Sequence, residues 1–169
     1  MALMNVAKEN LKFYYVDTEY ADFLRDKKFG DACVPFIDYP KRKKFFIGVI
    51  FRIDEFDYFA PISSNTEINP ASFAIIDKEK VIATIRTNFM FPVFNEVCYP
   101  LEISKIKDTR YRRLIEKEYR YVNKFREQIK GLAREIYLKR ISGQIYIGKI
   151  YVMNFKKLEK RSKNYNKKN

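Results

Sequence analysis

The run KRKKFFIGVIFRIDEFDYFAPISS, Lys41 to Ser64, constrains this chain more than any other stretch. Phe45 to Ile53 is apolar at nearly every position and rich in aromatic and β-branched residues, which predicts a strand covered on both faces. Asp54-Glu55 suits a tight turn, and Phe56 to Ile62 reads as the returning strand. Paired as a hairpin, the two strands bring Lys41, Arg42, Lys43 and Lys44 to the same sheet edge as Ser63 and Ser64. Ammonium groups beside hydroxyls suit a phosphodiester. The same residues also read as a solvated basic loop and an ordinary turn, so chemistry alone leaves both readings open.

The elements around this hairpin follow from periodicity. Leu11 to Val16 is a strand. Asp17 and Thr18 suit a helix cap, and Glu19 to Lys28 then carries Tyr20, Phe23 and Leu24 on one helical face. Ser72 to Ile76 and Val81 to Ile85 form a second hairpin. Asn88 to Phe94 is a further strand, at an edge or bulge because of Pro92. From Asp108 to Arg140 the period becomes helical, with Tyr111, Leu114, Glu118, Val122, Phe125, Ile129, Leu132 and Ile136 in the apolar stripe. Gly131 is the expected break between two helices. Ile145 to Phe155 returns to strand. The expected fold is α+β: a strongly bent antiparallel sheet, or partly closed β-barrel core, with helices packed outside it. Residues 1–155 form one domain and residues 156–169 a basic tail, disordered when free.

Charge narrows the function. The 34 Lys and Arg against 21 Asp and Glu give a net charge of +13, and a compact basic domain usually has an anionic partner, most often nucleic acid. No stretch is apolar and long enough to span a bilayer, and Met1 to Asn10 lacks the core of a signal peptide, which points to the cytoplasm. Histidine is absent, so catalysis by imidazole is excluded. The five glycines form no phosphate-binding glycine loop. Cys33 and Cys98 read as reduced structural thiols.

RNA can be cleaved without metal, cofactor or histidine because it brings its own nucleophile, the 2′-hydroxyl. The protein then orients that hydroxyl, stabilises charge on the phosphoryl oxygens and moves two protons. Lys44 with Ser63 and Ser64 is a minimal set for this, with Tyr39 as an added donor. A metal site built on Asp54, Glu55 and Asp57 is the weaker reading, since acids favour such a turn for conformational reasons.

Phe13-Tyr14-Tyr15, Phe45-Phe46-Ile47-Gly48-Val49 and Tyr58-Phe59-Ala60-Pro61-Ile62-Ser63-Ser64 together resemble the ToxN/AbiQ family. Asn88-Phe89-Met90-Phe91-Pro92-Val93 and Tyr111-Arg112-Arg113-Leu114 resemble its later motifs, in the same order. The resemblance covers roughly Leu11 to Arg140. It implies an endoribonuclease toxin of a type III toxin–antitoxin system with a MazF-like core, leaving a 2′,3′-cyclic phosphate and a 5′-hydroxyl. It places the catalytic lysine on Lys44, the hydroxyl pair on Ser63 and Ser64, and the upstream tyrosine on Tyr39. Thr66 stands where a relative has a lysine, and Lys43 and Arg86 are the candidate substitutes. The implied partners are a small inhibitory antitoxin RNA with pseudoknot repeats, in an oligomeric protein–RNA complex, and cellular and phage RNA substrates. RNA binding is expected at Lys41, Arg42, Lys43, Arg86, Arg110, Arg112, Arg113, Lys117 and Arg120. The rival reading is a non-catalytic RNA-binding protein.

Overall fold

The computed structural model describes residues 10–36 and 48–165. Tyr39, Lys41, Arg42, Lys43 and Lys44 lie outside the described residues. Among those described, the sheet is built on the expected hairpin: β2 (Gly48–Ile53) pairs antiparallel with β3 (Phe56–Ser63), from Gly48 opposite Pro61 to Ile53 opposite Phe56. Gly48 is required at its position by close approach. A Cβ there would stand 2.4 Å from the ring of Phe59, a fully buried core residue.

Strand β1 (Phe13–Val16) pairs with β2 on one side and with β7 (Cys98–Pro100) on the other. The second edge of β3 is shared. Asp57 to Phe59 pair with β6 (Phe91–Val93), and Ile62 and Ser63 pair with β5 (Lys80–Arg86), which continues to β4 (Ser72–Asp77). Pro92 sits in β6, whose only strand partner among the described residues is β3. That is the edge position in which a missing N–H costs nothing. The sheet is antiparallel and seven-stranded, in the order β4-β5-β3-β2-β1-β7 with β6 off that path. Among the described residues no pairing joins β4 to β7, so strand pairing does not close the expected barrel.

A helix instead bridges β1 and β4. Helix α2 (Thr109–Lys124) starts at Asp108, whose carboxylate accepts from the backbone N–H of Arg110 and Tyr111. Towards β1, Asn123 holds Leu11 by two bonds, accepting from its N–H at 2.6 Å and donating to its carbonyl at 3.0 Å. Nearby, Tyr119 meets Phe13 edge-on at 5.5 Å. Towards β4, Tyr121 packs against Phe73, and Lys117 pairs with Asp77 at 3.1 Å. One helix touching both β1 and β4, four places apart in the strand order, requires the sheet to curl around it.

Four expectations are corrected. The helical region breaks at Phe125, not Gly131. Phe125 leaves helical geometry with its ring 4.6 Å from Tyr121, and Arg126 donates to the carbonyl of Asn123. Helix α3 (Arg126–Ile141) runs through Gly131, where a glycine costs only about 1 kcal/mol. The first helix, α1 (Thr18–Leu24), stops short of Lys28 because the chain turns back over its end. Gly30 lies so close to the carbonyl of Leu24 that a Cβ would overlap it. The expected strand from Ile145 is a small hairpin, β8 (Tyr146–Ile147) and β9 (Ile150–Tyr151), turning at Gly148.

The fourth correction concerns the basic tail. Phe155 to Ser162 form helix α4, capped by Asn154, with Phe155 and Leu158 fully buried. Its Glu159 accepts from the hydroxyls of Tyr58 at 2.7 Å and Tyr137 at 2.8 Å, and Lys156 stands 3.2 Å away. Basic composition gave the impression of a free tail, but the inward face of this helix completes the core. No described helix is long and apolar enough to cross a membrane.

Candidate active site

Ser63 closes β3 directly opposite Thr84 of β5, and Ile62 stands opposite Ile85. Directly opposed residues of an antiparallel pair share a face, and alternate residues along a strand do too. Ser63, Thr84, Arg86 and Ser72 therefore occupy one face of this arm. Phe73, Ile75, Asp77 and Ile85 occupy the other, which is the face that α2 covers.

The loop from Ser64 to Ala71 folds back over the serine face and is held there by side chains. Ser63 Oγ accepts from the N–H of Asn65 at 3.1 Å. Thr84 Oγ1 donates to the carbonyl of Asn65 at 2.7 Å, and Arg86 Nη2 donates to the same oxygen at 3.2 Å. Asn65 Oδ1 accepts from Glu67 N–H, Asn69 Oδ1 accepts from Ala71 N–H, and Thr87 Oγ1 donates to the carbonyl of Ala71. Both ends of Asn65 are thus gripped from the sheet, which fixes the backbone on either side of Ser64.

This arrangement leaves useful groups uncommitted. The oxygen of Ser63 accepts one bond, while its proton has no acceptor among the described residues. Ser64 is exposed. Arg86 is only 9% exposed, and its bond to Asn65 is the one its guanidinium makes among the described residues. A hydroxyl proton and a nearly buried cation on one face can both donate to an anion. Sequence reasoning placed Arg86 in the RNA-binding set but missed Thr84. The signal for Thr84 was the alternation of Thr84 and Arg86 with the apolar Ala83 and Ile85.

The cations expected on α2 lie elsewhere. Arg110, Arg113 and Arg120 are exposed and form no ion pair among the described residues. Arg112 is half-buried and donates to the carbonyl of Ile106 at 3.0 Å, and Lys117 is paired with Asp77. At the rim of β4, a shallow depression of about 230 Å³ is lined by Ile76, Asp77, Lys117, Arg120, Tyr121 and Lys124. The structure does not gather the α2 cations with Ser63 on one face. An RNA touching both sets has to pass around the β4 edge.

Other titratable groups fall outside this site. Asp54 takes a left-handed conformation in the β2–β3 turn, with φ of 52°, and Asp57 faces Arg52 at 3.4 Å. Burial pushes the Cys98 thiol up to about 11, and burial with Asp31 raises Cys33, so neither is a ready thiolate. Glu118 on α2 is 5% exposed with no bond partner among the described residues, and desolvation lifts its carboxyl from 4.5 to about 7.

The family model described as Toxin ToxN, type III toxin-antitoxin system, matches residues 12–163. Endoribonuclease ToxN of Bacillus thuringiensis subsp. kurstaki is 29% identical over 136 residues, 77% of this chain and 69% of that protein. Endoribonuclease AbiQ of Lactococcus lactis subsp. lactis is 24% identical over 96% of this chain and 93% of its own length. One solved structure, from work on selective toxin inhibition by a non-coding RNA pseudoknot in bacterial type III systems, superposes with a TM-score of 0.79. It is 26% identical and covers 93% of this chain and 98% of that one. The structure of AbiQ, a lactococcal anti-phage endoribonuclease, shares the fold with a TM-score of 0.70 at 20% identity, over 92% of this chain and 97% of its own. The match runs through the serine edge, the α2 seam and the docked last helix alike, and the chain belongs to the ToxN family of type III toxin–antitoxin system toxins.

Proposed function

We propose that this chain is the endoribonuclease toxin of a type III system and cuts RNA at the Ser63 edge by attack of the substrate's own 2′-hydroxyl. The O2′–P bond forms as the P–O5′ bond breaks, leaving a 2′,3′-cyclic phosphate and a 5′-hydroxyl, with no metal required. Ser63 and Ser64 donate to phosphoryl oxygens. Lys44 carries charge and proton transfer, and Tyr39 adds a donor. The observation that carries this reading is the clamped loop, which holds Ser63 with its proton uncommitted. Lys44 stands four residues before Gly48, a reach of at most about 14 Å, and Gly48 pairs with Pro61, two residues before Ser63.

The basic residues Lys41, Arg42, Lys43, Arg110, Arg112, Arg113, Lys117 and Arg120 bind RNA backbone in this reading. The inhibitor is a small pseudoknotted antitoxin RNA that occupies the cleavage edge and wraps the β4 rim towards α2, within an oligomeric protein–RNA complex in the cytoplasm. Cellular and phage RNAs are the substrates. The curled sheet with α2 bridging β1 and β4 supports the MazF-like kinship that the resemblance implies.

The test is expression of wild type, Lys44→Ala and Ser63→Ala in bacteria, with end-mapping of total RNA. Wild type arrests growth and generates new 5′-hydroxyl ends, in lysates also in the presence of EDTA. Each variant loses cleavage by about 100-fold or more while keeping most RNA affinity, because one phosphate contact is a small share of the electrostatic term. Arrest by all three without new ends would make the protein a passive RNA binder.

A further inference from the structure

The guanidinium of Arg86 belongs to a nearly buried side chain. It lies at the end of β5 on the serine face, is 9% exposed, and spends one N–H on the carbonyl of Asn65 at 3.2 Å. Arg86 has no ion pair with any described carboxylate, which is unusual for an arginine this buried. A cation in such a position, with no counter-anion among the described residues, is set to receive one from a ligand. Its neighbourhood says where that anion sits. Ser63 Oγ accepts from one end of Asn65 while Arg86 donates to the other end. The two contacts and the length of a single residue keep the hydroxyl and the guanidinium within roughly 10 Å of each other.

We propose that Arg86 is a built phosphoryl-binding site, and that the anion it binds is the scissile phosphodiester. The inference rests on reading the Ser63 edge as the cleavage site, and assigns Arg86 a catalytic role there. Its free N–H groups donate to a nonbridging oxygen, and the planar fork matches that oxygen pair in a way an ammonium does not. The negative charge that accumulates on phosphorus-bound oxygen as O2′ attacks is met by a cation already dehydrated and fixed, the condition under which such donors act most strongly. Arg86 transfers no proton. The 2′-hydroxyl proton leaves to a base and the O5′ proton arrives from an acid, and Arg86 stays a cation throughout. Thr84 differs in kind. Its hydroxyl is spent on Asn65, so it is a positioning residue that holds the loop.

The experiment uses the full chain, inorganic phosphate as the probe, and four variants: Arg86→Gln, Arg86→Lys, Thr84→Val and Ser63→Ala. Phosphate binding is followed by NMR at the arginine Nε–H signals, and cleavage by new 5′-hydroxyl ends in bacterial RNA. Phosphate shifts the Arg86 signal in wild type and in Thr84→Val. Arg86→Gln binds phosphate at least 10-fold more weakly and cuts RNA about 100-fold more slowly, with the loss in kcat rather than KM. Arg86→Lys recovers about 10-fold of that rate. If Arg86 only anchors the loop, Arg86→Gln and Thr84→Val behave alike, Lys restores nothing, and the proposal falls. If Ser63→Ala abolishes cleavage while Arg86→Gln cuts at the wild-type rate, the cleavage reading stands and the role of Arg86 fails. If phosphate shifts Arg86 but no protein cuts RNA, the anion site stands and the cleavage reading fails.

Discussion

Glu159 and Glu118 are both glutamates that a helix carries inward, and each is 5% exposed. Their surroundings could hardly differ more. Glu159 on α4 meets two tyrosine hydroxyls, at 2.7 and 2.8 Å, and a lysine at 3.2 Å. Glu118 on α2 meets no donor among the described residues, and desolvation alone raises its carboxyl to about 7. A buried charge is tolerated when its neighbours replace the water it loses, and otherwise the group gives up the charge. The α4 socket is therefore a place where polarity joins elements, and the α2 seam one where a single carboxyl opposes them.

Three variants sharpen this contrast. Glu159→Ala has the largest expected effect: it orphans the hydroxyls of Tyr58 and Tyr137 and empties part of the core, at a cost of about 3–5 kcal/mol in urea or thermal denaturation. Glu118→Leu goes the other way. The folded protein keeps its proton at Glu118 up to about pH 7, whereas the unfolded chain releases it near 4.5. Between those values the folded state binds more protons, so stability falls as pH rises and the full loss is reached above the folded value. Leucine removes that decline and stabilises the protein by about 1–3 kcal/mol at pH 8. An unchanged pH dependence between 4.5 and 7 would break the contrast. Tyr137→Phe is the smallest change, about 1 kcal/mol in the same assay, since Tyr58 and Lys156 still serve Glu159. A cost equal to that of Glu159→Ala would show that the ring packing, not the carboxylate, binds α4.

Local patterns made much of the sheet legible. The run into Ile53, the acidic turn and the strand from Phe56 gave the central hairpin, and Pro92 gave the edge. The start of the helical period at Asp108 was legible because that side chain serves N–H groups two and three residues on. What escaped depended on distant partners. The break at Phe125 reflects rings of Tyr121 and Phe73, not local propensity. Phe155, Leu158, Glu159 and Ser162 do form a helical stripe, but two polar members among many basic neighbours disguised it as solvated tail. The serine pair was legible by position, but the grip of Thr84 on Asn65, 19 residues apart, has no local signature. The lysine and tyrosine assigned beside it fall outside the described residues.

Tyr58 stands five residues before Ser63 on the same strand, and it is bonded to a helix that begins almost one hundred residues later. During synthesis, β3 can emerge with β2 beside it while Tyr58 still lacks its acceptor. The strand that carries the serines acquires its last buried partner only after Glu159 has left the ribosome and α4 has docked. Core completion is thus deferred until 101 residues after Tyr58 have been made, and a product truncated before Glu159 would present Ser63 on a scaffold missing one wall.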